Sequence, residues 1–330
     1  MPKGSKGRFG IGIYHQNKYP LCCKLTANSL YWLDQKLRVG LLVTDIKTDD
    51  IFVTCEDKTQ LKATLFTPST PPKAAIMVGP ATGIKRQFYR AFATYLCEQG
   101  YGVITFDNRG IGESCNVPLK HSNASLVSWG EQDMPAILST LKSHFSHCHY
   151  FLVGHSAGGQ LLGLMHNVHD LSAFCNFGSS SGSLRNMRKG YLIKAHFFMN
   201  GFIPLSNFLF GCTNSQWVGM GEPLPKKVAR QWQQWCNGSG YIKTAFGKEV
   251  KNHYFDDIRI PSKWLLATDD DIANIKNVHD MISVFPNMKA EVEQLDPAEH
   301  NVKDIGHMKF FSRKCQHLWP KVTEYFDSVA

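Results

Sequence analysis

The sequence predicts an α/β protein whose mostly parallel β-sheet is covered by helices on both faces. From residue 74 onward, short apolar runs of strand length alternate with segments of helical pattern. These runs are continuously apolar, which is typical of strands that are buried on both sides of a parallel sheet. Ahead of them, two strand patterns joined by a polar turn predict a β-hairpin.

The individual elements follow from local pattern. A β-branched or aromatic apolar run bounded by turn residues predicts a strand, and a longer amphipathic run that ends at glycine predicts a helix. Gly100, for example, follows an amphipathic segment and can adopt the left-handed conformation of a helix cap. The predicted strands are 51–55, 61–66, 74–78, 102–106, 150–153, 173–177, 263–267 and 290–295, and the predicted helices are 88–98, 134–145, 160–165, 276–284 and 310–326.

Composition indicates an ordinary globular protein. The chain has 330 residues, of which 43% are hydrophobic and 19% charged, so it can bury a sizeable core. The formal net charge is +9, but residues 1–40 contain seven Lys and Arg against one Asp. We therefore expect a basic, partly disordered extension at residues 1–42 and one main domain at residues 43–330. The main domain has too little excess positive charge for a nucleic-acid-binding face.

Cysteine usage and hydropathy bear on location. The ten cysteines form no Cys-x-x-Cys pair, which is typical of a reducing compartment. The first 20 residues lack the apolar core of a signal peptide, and the least charged stretch, residues 195–221, is interrupted by polar residues and a proline. The sequence thus predicts a cytoplasmic protein without an integral membrane segment, and it leaves the oligomeric state open.

An insertion interrupts the alternating pattern at about residues 183–260. It contains no strand pattern and is rich in Phe, Tyr and Trp. We expect it to fold as a helical lid over the carboxyl edge of the sheet, with aromatic side chains either lining a pocket or forming the core of the lid itself. Trp232 and Trp235 are three residues apart on one predicted helix, and this spacing favours packing.

The pattern Gly-x-Ser-x-Gly at residues 154–158 joins a predicted strand to a predicted helix. Such a turn presents the serine at the carboxyl edge of the sheet and requires small residues two before and two after it. Gly154 and Gly158 meet this need, and Gly159 lets the helix pack closely. The sequence therefore predicts a nucleophile elbow at Ser156, with the amide of Ala157 at the start of the helix.

A serine nucleophile needs a base, and the base needs an acid that holds it. On a doubly wound sheet the acid follows a later strand than the serine. The strand at 263–267 leads into Asp269, Asp270 and Asp271. We favour Asp270 as the acid and keep Asp269 and Asp271 as alternatives, since adjacent carboxylates can also cap the following helix.

The base is expected after the last strand. His300 and His307 both follow it, and we favour His307 because it comes just before the last helix and Gly306 leaves its ring room. The developing oxyanion needs two donors. The N–H of Ala157 is one, and the second is expected from the loop after residue 78. There Pro80 has no N–H, so we choose Ala81, with Thr82 as the alternative.

Together these motifs resemble the α/β-hydrolase superfamily, and within it the serine-aminopeptidase and monoglyceride-lipase-like group with its bacterial predicted hydrolases. The resemblance covers residue 50 to the end and implies an eight-stranded sheet with a lid. It implies Ser156 as nucleophile, Asp270 as acid, His307 as base, and Ala81 with Ala157 as oxyanion donors. The motifs are GPATG at 79–83, DNRGIGES at 107–114, GHSAGG at 154–159, ATDD at 267–270 and GH at 306–307.

Two positions depart from the group. The oxyanion loop lacks the usual His-Gly pair, and Asn274 stands where a proline is usual four residues after the acid. The expected activity is hydrolysis of a small or medium carboxylic ester through an acyl-enzyme, with a small-molecule acyl substrate and without a cofactor or metal. A thioesterase or an acyltransferase would use the same residues. The alternative from another class is a hydrolase-fold binding protein or sensor whose triad is idle.

Overall fold

One eight-stranded sheet forms the centre of residues 46–330, the part of the chain that the computed structural model describes. The predicted extension at residues 1–42 lies outside the described residues. The strands in chain order are β1 (Lys47–Thr54), β2 (Gln60–Thr67), β3 (Ala74–Gly79), β4 (Tyr101–Phe106), β5 (His149–His155), β6 (Ala173–Phe177), β7 (Cys212–Thr213), β8 (Leu224–Pro225), β9 (Ser262–Ala267) and β10 (Ala290–Leu295).

The strand order of the large sheet is β1-β2-β4-β3-β5-β6-β9-β10, and β7 pairs with β8 in a separate two-stranded sheet. β1 and β2 form the predicted antiparallel hairpin, and β2 is antiparallel to β4. All other neighbours in the large sheet are parallel. The predicted eight-stranded, mostly parallel sheet is therefore confirmed. Because β3 to β6, β9 and β10 run in one direction, their carboxyl ends meet at one edge of the sheet.

Helices cover the sheet on both faces. They are α1 (Arg90–Glu98), α2 (Leu126–Ser128), α3 (Met134–His144), α4 (Ala157–Gln160), α5 (Lys189–His196), α6 (Ile203–Phe210), α7 (Lys226–Asn237), α8 (Ile275–Ile282) and α9 (Pro320–Val329). Alternate strand residues pack on opposite sides of the sheet. Met77 of β3 and Leu152 of β5 belong to one apolar core, whereas their neighbours Ile76 and Phe151 belong to the other.

The last predicted helix, residues 310–326, is wrong in its first half. The chain there forms two short 3₁₀ segments, Lys309–Phe311 and Arg313–Leu318, separated by an extended Ser312 with ψ of 152°. The α-helix begins only at Pro320. Proline lacks an N–H and has a fixed φ, which suits the first turn of a helix and interrupts one that has already begun.

The chain between β6 and β9 contains the predicted insertion. It holds α5, α6 and α7 and the small β7–β8 sheet, so it is helical but includes two short strands that the sequence did not predict. The segment Phe197–Phe202 is a π-helix that joins α5 to α6. Residues 189–210 therefore form one nearly continuous helical stretch on the sheet's carboxyl side of the chain order, between the elbow and the strand that leads to the aspartates.

Candidate active site

Ser156 lies in the sharp turn between β5 and α4. Its φ of 48° and ψ of −111° are strained for a residue with a side chain, and such strain is typical of functional turns. Its N–H donates to the carbonyl of Phe177 at 3.0 Å, which fastens the turn to β6. A Cβ on Gly158 would overlap the main chain of Gly79 on β3, so only glycine permits this approach. The elbow expected from the sequence pattern is therefore formed.

Asp270 and His307 form a buried pair on the loops that follow β9 and β10. His307 Nδ1 lies 2.7 Å from Asp270 Oδ2, and Asp270 is 2% exposed. The other carboxylate oxygen, Oδ1, accepts the main-chain N–H groups of Ile272 at 2.8 Å and Ala273 at 2.9 Å. The carboxylate is thus fixed by its own loop, and it fixes Nδ1 of the ring, leaving Nε2 for a reacting proton.

The two groups shift each other's pKa. Burial alone would raise the pKa of Asp270, but the charge and hydrogen bond of His307 and the two N–H donors hold this pKa below its ordinary value. Burial alone would lower the pKa of His307, but the charge and hydrogen bond of Asp270 raise it above 6.5. An ionised carboxylate therefore stabilises an imidazolium, which is the form that a general base reaches after accepting a proton.

The two neighbouring aspartates have different partners. Asp269 accepts the main-chain N–H groups of Ile305 at 3.0 Å and Gly306 at 2.9 Å, one on each carboxylate oxygen. It therefore holds the loop immediately before the histidine. Asp271 forms an ion pair at 2.7 Å with Arg188, and both side chains are exposed. Of the three adjacent aspartates, only the middle one contacts the imidazole.

His307 and the alternative base His300 lie in different surroundings. His307 lines a cavity together with Ser156, whereas the His300 ring faces that of His317, with 6.4 Å between the ring centroids. Gly178, at a φ of 63°, is close enough that a Cβ there would lie 3.1 Å from the His307 ring. The histidine favoured by the sequence is thus the one that the fold brings to the serine.

The shared cavity has a volume of about 140 Å³ and is also lined by Ala81, Thr82 and Met220. Within residues 46–330 the Ser156 hydroxyl makes no hydrogen bond to a side chain or the main chain. Catalytic hydrogen bonds are often long in an unliganded site and shorten when substrate binds. Ser156 and His307 are thus brought to one cavity, without a direct hydrogen bond between them.

The two predicted oxyanion donors differ in availability. The N–H of Ala157, at the start of α4, has no acceptor among the described residues. The N–H of Ala81 instead donates to the Tyr89 hydroxyl at 2.9 Å in the protein interior. The adjacent N–H of Thr82, the alternative predicted from sequence, has no acceptor in the described part of the chain, and Thr82 lines the cavity.

A buried relay connects the oxyanion loop to the histidine. Tyr89 Oη lies 2.8 Å from His155 Nδ1, and His155 Nε2 lies 2.8 Å from the His307 carbonyl oxygen. A carbonyl can only accept, so His155 carries its proton on Nε2, and its Nδ1 accepts from the Tyr89 hydroxyl. Burial, followed by the charge of His307, lowers the pKa of His155 to about 3, so this ring is neutral.

Comparison with known proteins agrees with this geometry. Residues 70–174 match the model of the serine aminopeptidase family S33. An esterase from Pyrococcus furiosus aligns over 86% of this chain and 93% of its own, with a TM-score of 0.55 and 16% identity. A carboxyl esterase from Bacillus coagulans aligns over 86% and 98%, with a TM-score of 0.56 and 13% identity. A Thermogutta terrifontis esterase aligns over 85% and 99%, with 0.51 and 16%.

The chain is an α/β-hydrolase of the serine hydrolase type. The structural likenesses are distant and concern the fold. No curated protein sequence matches this hydrolase significantly. The matched residues 70–174 include Ser156 and the oxyanion loop, whereas Asp270 and His307 lie beyond them. The resemblance that the motifs suggested is therefore confirmed at the level of superfamily and group.

A second, larger cavity of the hydrolase adjoins the one at the serine. It has a volume of about 580 Å³, within the usual range for small-molecule sites, and its walls are mainly apolar residues of the insertion. Met220, Trp232 and Ile272 are among the residues that line both cavities. The packing interpretation holds for Trp235, which is 1% exposed and packs edge-on against Tyr241, but Trp232 faces both cavities.

Sequence reasoning missed three residues that hold the site of this hydrolase. Asp269 was considered only as an acid, His155 only as part of the elbow, and Tyr89 not at all. A polar residue at such a position gives no local signal, because its partner is distant in sequence. The Tyr89 and His155 rings, for example, are 66 residues apart in the chain and hydrogen-bond directly.

Two further features limit the chemistry in residues 46–330. No group of three or more His, Cys, Asp and Glu side chains is arranged to hold a metal ion there. In the same residues, no helix combines the length and apolar character needed to cross a bilayer. Asn274, where the group usually has proline, caps α8 instead: its side chain accepts the N–H groups of Lys276 at 3.1 Å and Asn277 at 3.2 Å.

Proposed function

We propose that the protein hydrolyses carboxylic esters through an acyl-enzyme on Ser156, with His307 as general base and Asp270 as its acid. The observation that supports this most directly is the 2.7 Å contact between Asp270 and His307 beside the cavity that Ser156 also lines. A carboxylate, an imidazole and a strained serine in this order constitute the constellation that activates a hydroxyl for attack.

The proposed reaction has two steps. The Ser156 hydroxyl attacks the ester carbonyl while His307 Nε2 takes its proton, and the alcohol then leaves with that proton, so that an acyl-serine remains. Water attacks the acyl-serine while His307 again takes a proton, and the carboxylic acid is released as Ser156 regains its hydrogen. Asp270 stays ionised throughout and stabilises the imidazolium.

For the oxyanion we assign the N–H of Ala157 and the N–H of Thr82, in place of the Ala81 donor expected from the sequence. The Ala81 N–H is already bound to Tyr89, and turning it towards a substrate would leave a buried hydroxyl without its donor. Removal of one oxyanion donor typically raises the barrier by about 2.7–4 kcal/mol. We infer that Ala81 shapes the loop and that Thr82 contacts the substrate.

The larger cavity supports an apolar acyl or alcohol group as the substrate's non-reacting part. Its volume of about 580 Å³ and its shared wall with the serine cavity allow a chain to extend from the carbonyl into it. We propose that the insertion, with its helices α5 to α7, acts as a lid above this cavity. Small and medium acyl esters are therefore the substrates to test first.

A fluorophosphonate probe tests the proposal directly, because such probes react only with an activated serine. We expect stoichiometric labelling of the wild-type protein at Ser156 and none of Ser156→Ala. The control variant is Ser283→Ala, which removes an exposed hydroxyl that donates only to the Asp280 carbonyl. It should label like the wild type. Hydrolysis of p-nitrophenyl acetate and butyrate should be lost with Ser156→Ala and retained with Ser283→Ala.

His307→Ala and His300→Ala form the matched pair for the base. We expect His307→Ala to lower kcat by about 10⁴-fold or more, as triad deletions do, and His300→Ala to leave it near the wild-type value. A folded wild-type protein that neither labels with the probe nor turns over any of a graded series of esters and thioesters would contradict the proposal. It would instead support the alternative of a hydrolase-fold binding protein with an idle triad.

A further inference from the structure

The insertion exposes an unusual number of large apolar side chains. Within residues 46–330, eight of the eleven exposed large hydrophobic residues lie between 193 and 218. Phe208 is 84% exposed, Ile193 75% and Phe197 66%. Soluble proteins rarely leave such residues clustered on one surface unless that surface binds something apolar. We call this cluster, residues 193–218, the apolar patch.

The patch is continuous with one face of the helical stretch at residues 189–210. Ile193 and Phe197 are four residues apart and so share a helix face, and Phe208 follows on α6. At the end of α6, Phe210 packs edge-on against Trp217, with 5.2 Å between the ring centroids. The exposed side chains are therefore neighbours across one surface.

The charge around the patch has a single sign. Residues 171–221 contain four Lys and Arg and not one Asp or Glu. Arg188 forms an ion pair with Asp271, while Arg185, Lys189 and Lys194 are exposed to solvent. Apolar side chains bordered by basic ones are the composition of helices that lie in the interface of a bilayer containing anionic lipid.

The apolar patch also surrounds the entrance to the larger cavity. Ile193, Phe197 and Val218 are exposed to solvent, and the same three residues line that cavity. An apolar molecule that left a lipid surface at this point would enter the cavity without crossing water. The position of the patch thus relates a surface to a binding space, which isolated exposed side chains would not do.

We propose that the apolar patch docks this protein onto the surface of a bilayer that contains anionic lipid. The phenylalanines and leucines enter the interfacial region, and the surrounding basic side chains contact the lipid head groups. The basic surround is what selects this occupant. A second copy of the chain would bring the same positive charges together across the contact, which costs free energy.

The experiment measures co-sedimentation of the full-length protein with large unilamellar vesicles. One set contains phosphatidylcholine alone, and the other phosphatidylcholine with a third of phosphatidylglycerol. We expect tighter binding to the anionic vesicles, with the difference diminished by added salt. Docking as proposed does not involve the serine, so Ser156→Ala should bind vesicles as the wild type does, whether or not the protein hydrolyses esters.

Two double variants separate the contributions. Phe208→Ser with Leu209→Ser removes exposed apolar surface without disturbing the core, and we expect at least a tenfold weaker binding to both vesicle types. Arg185→Glu with Lys189→Glu should weaken binding to anionic vesicles about tenfold or more and leave binding to phosphatidylcholine unchanged. Phe52→Ser on β1 removes an exposed aromatic outside the patch and should bind like the wild type.

Three results would overturn the proposal. Undiminished vesicle binding by the Phe208/Leu209 double variant would assign the attraction to another part of the chain. Equal, salt-independent binding to both vesicle types would remove the role of charge. A wild-type protein that sediments as a dimer without binding vesicles, while this double variant is a monomer, would make a second copy the occupant of the patch. Loss of esterase activity alone would bear on the proposed function and not on docking.

Discussion

The ring of His155 donates a hydrogen bond from Nε2 to the main-chain carbonyl of His307, with 2.8 Å between nitrogen and oxygen. The residue directly before the elbow serine thus holds the main chain of the proposed base. Its other ring nitrogen accepts from Tyr89, whose hydroxyl in turn accepts the Ala81 N–H. Three loops that follow different strands are therefore tied together by two side chains in the interior of the protein.

Tyr89→Phe tests whether this relay positions the site. The change leaves the buried Nδ1 of His155 without a donor and the Ala81 N–H without an acceptor. Each unsatisfied buried group costs about 1–3 kcal/mol, so the free energy of unfolding should fall measurably in chemical denaturation. We expect kcat for a soluble ester to fall at least tenfold with little change in KM, because the loops shift while the acyl cavity remains.

Tyr95→Phe is the matched control for this change. Tyr95 lies on α1 six residues further along the chain, and its hydroxyl is 3.4 Å from Thr323, away from the serine. This variant should keep the wild-type kcat and lose little stability. If Tyr89→Phe and Tyr95→Phe had the same kcat, the relay would be structural only, whatever its effect on unfolding.

The three adjacent aspartates should differ sharply when each is changed to asparagine. Asp270→Asn removes the charge that stabilises the imidazolium, and kcat should fall by about 10⁴-fold. Asp269→Asn sets an amide group against one of two main-chain N–H donors, and we expect about a tenfold lower kcat and a free energy of unfolding lower by about 1–3 kcal/mol. Asp271→Asn breaks only an exposed ion pair, so both should stay close to wild type.

Steady-state kinetics on one soluble ester, with urea unfolding of each variant, checks this ordering. The experiment needs no other control, because the exposed aspartate provides it. Full activity in Asp270→Asn together with a large loss in Asp269→Asn would show that the acid has been assigned to the wrong carboxylate.

The pH dependence of kcat/KM reports the base of the free enzyme. His307 must be neutral to accept a proton, and its pKa is raised above 6.5 by the charge and hydrogen bond of Asp270, which outweigh burial. Activity should therefore fall as the pH drops through that raised pKa. In Asp270→Asn the raising charge is absent and burial remains, so the acid limb should move to lower pH while the maximum rate falls.

Initial rates from pH 5 to 9 check this shift, and His300→Ala should leave the limb of the wild type unchanged. The neutral His155, with a pKa of about 3, does not titrate in this range. An acid limb at the same pH in wild type and Asp270→Asn would mean that the limb belongs to another group.

The sequence was sufficient for the sheet and for the elbow. β6 and β10 end where the apolar runs end, at residues 173–177 and 290–295, because a buried parallel strand must be apolar throughout. The elbow at Ser156 follows from steric need, since a strained turn that touches two neighbouring strands admits only glycine beside it. Local rules decide such features, so local sequence contains them.

Other features depend on contacts that local sequence does not contain. The run at residues 310–326 has apolar spacing compatible with a helix, yet it breaks before Pro320, where packing and the missing N–H prevail over periodicity. Ala81 looked like a free donor until Tyr89 came into contact with it. Similarly, three adjacent aspartates are equivalent in the sequence and differ only in their distant partners.

Trp232 and Trp235 should separate substrate selection from stability. Trp232 faces both cavities and packs edge-on against Phe198, with 5.6 Å between the ring centroids. Trp232→Leu removes part of the wall between the cavities, so the preference among p-nitrophenyl esters of two to twelve carbons should change, with kcat/KM altered more for long chains than for acetate. Trp235 is buried in the core of the insertion and touches neither cavity.

Trp235→Leu is therefore the paired control. It should lower the free energy of unfolding by a few kcal/mol, as large-to-small core substitutions do, and leave the ratio of kcat/KM between long and short esters unchanged. Urea unfolding and the ester series, measured on the same preparations, give both quantities. If both variants change the chain-length preference equally, the larger cavity does not hold the acyl group, because a general loosening of the insertion would then explain the selectivity.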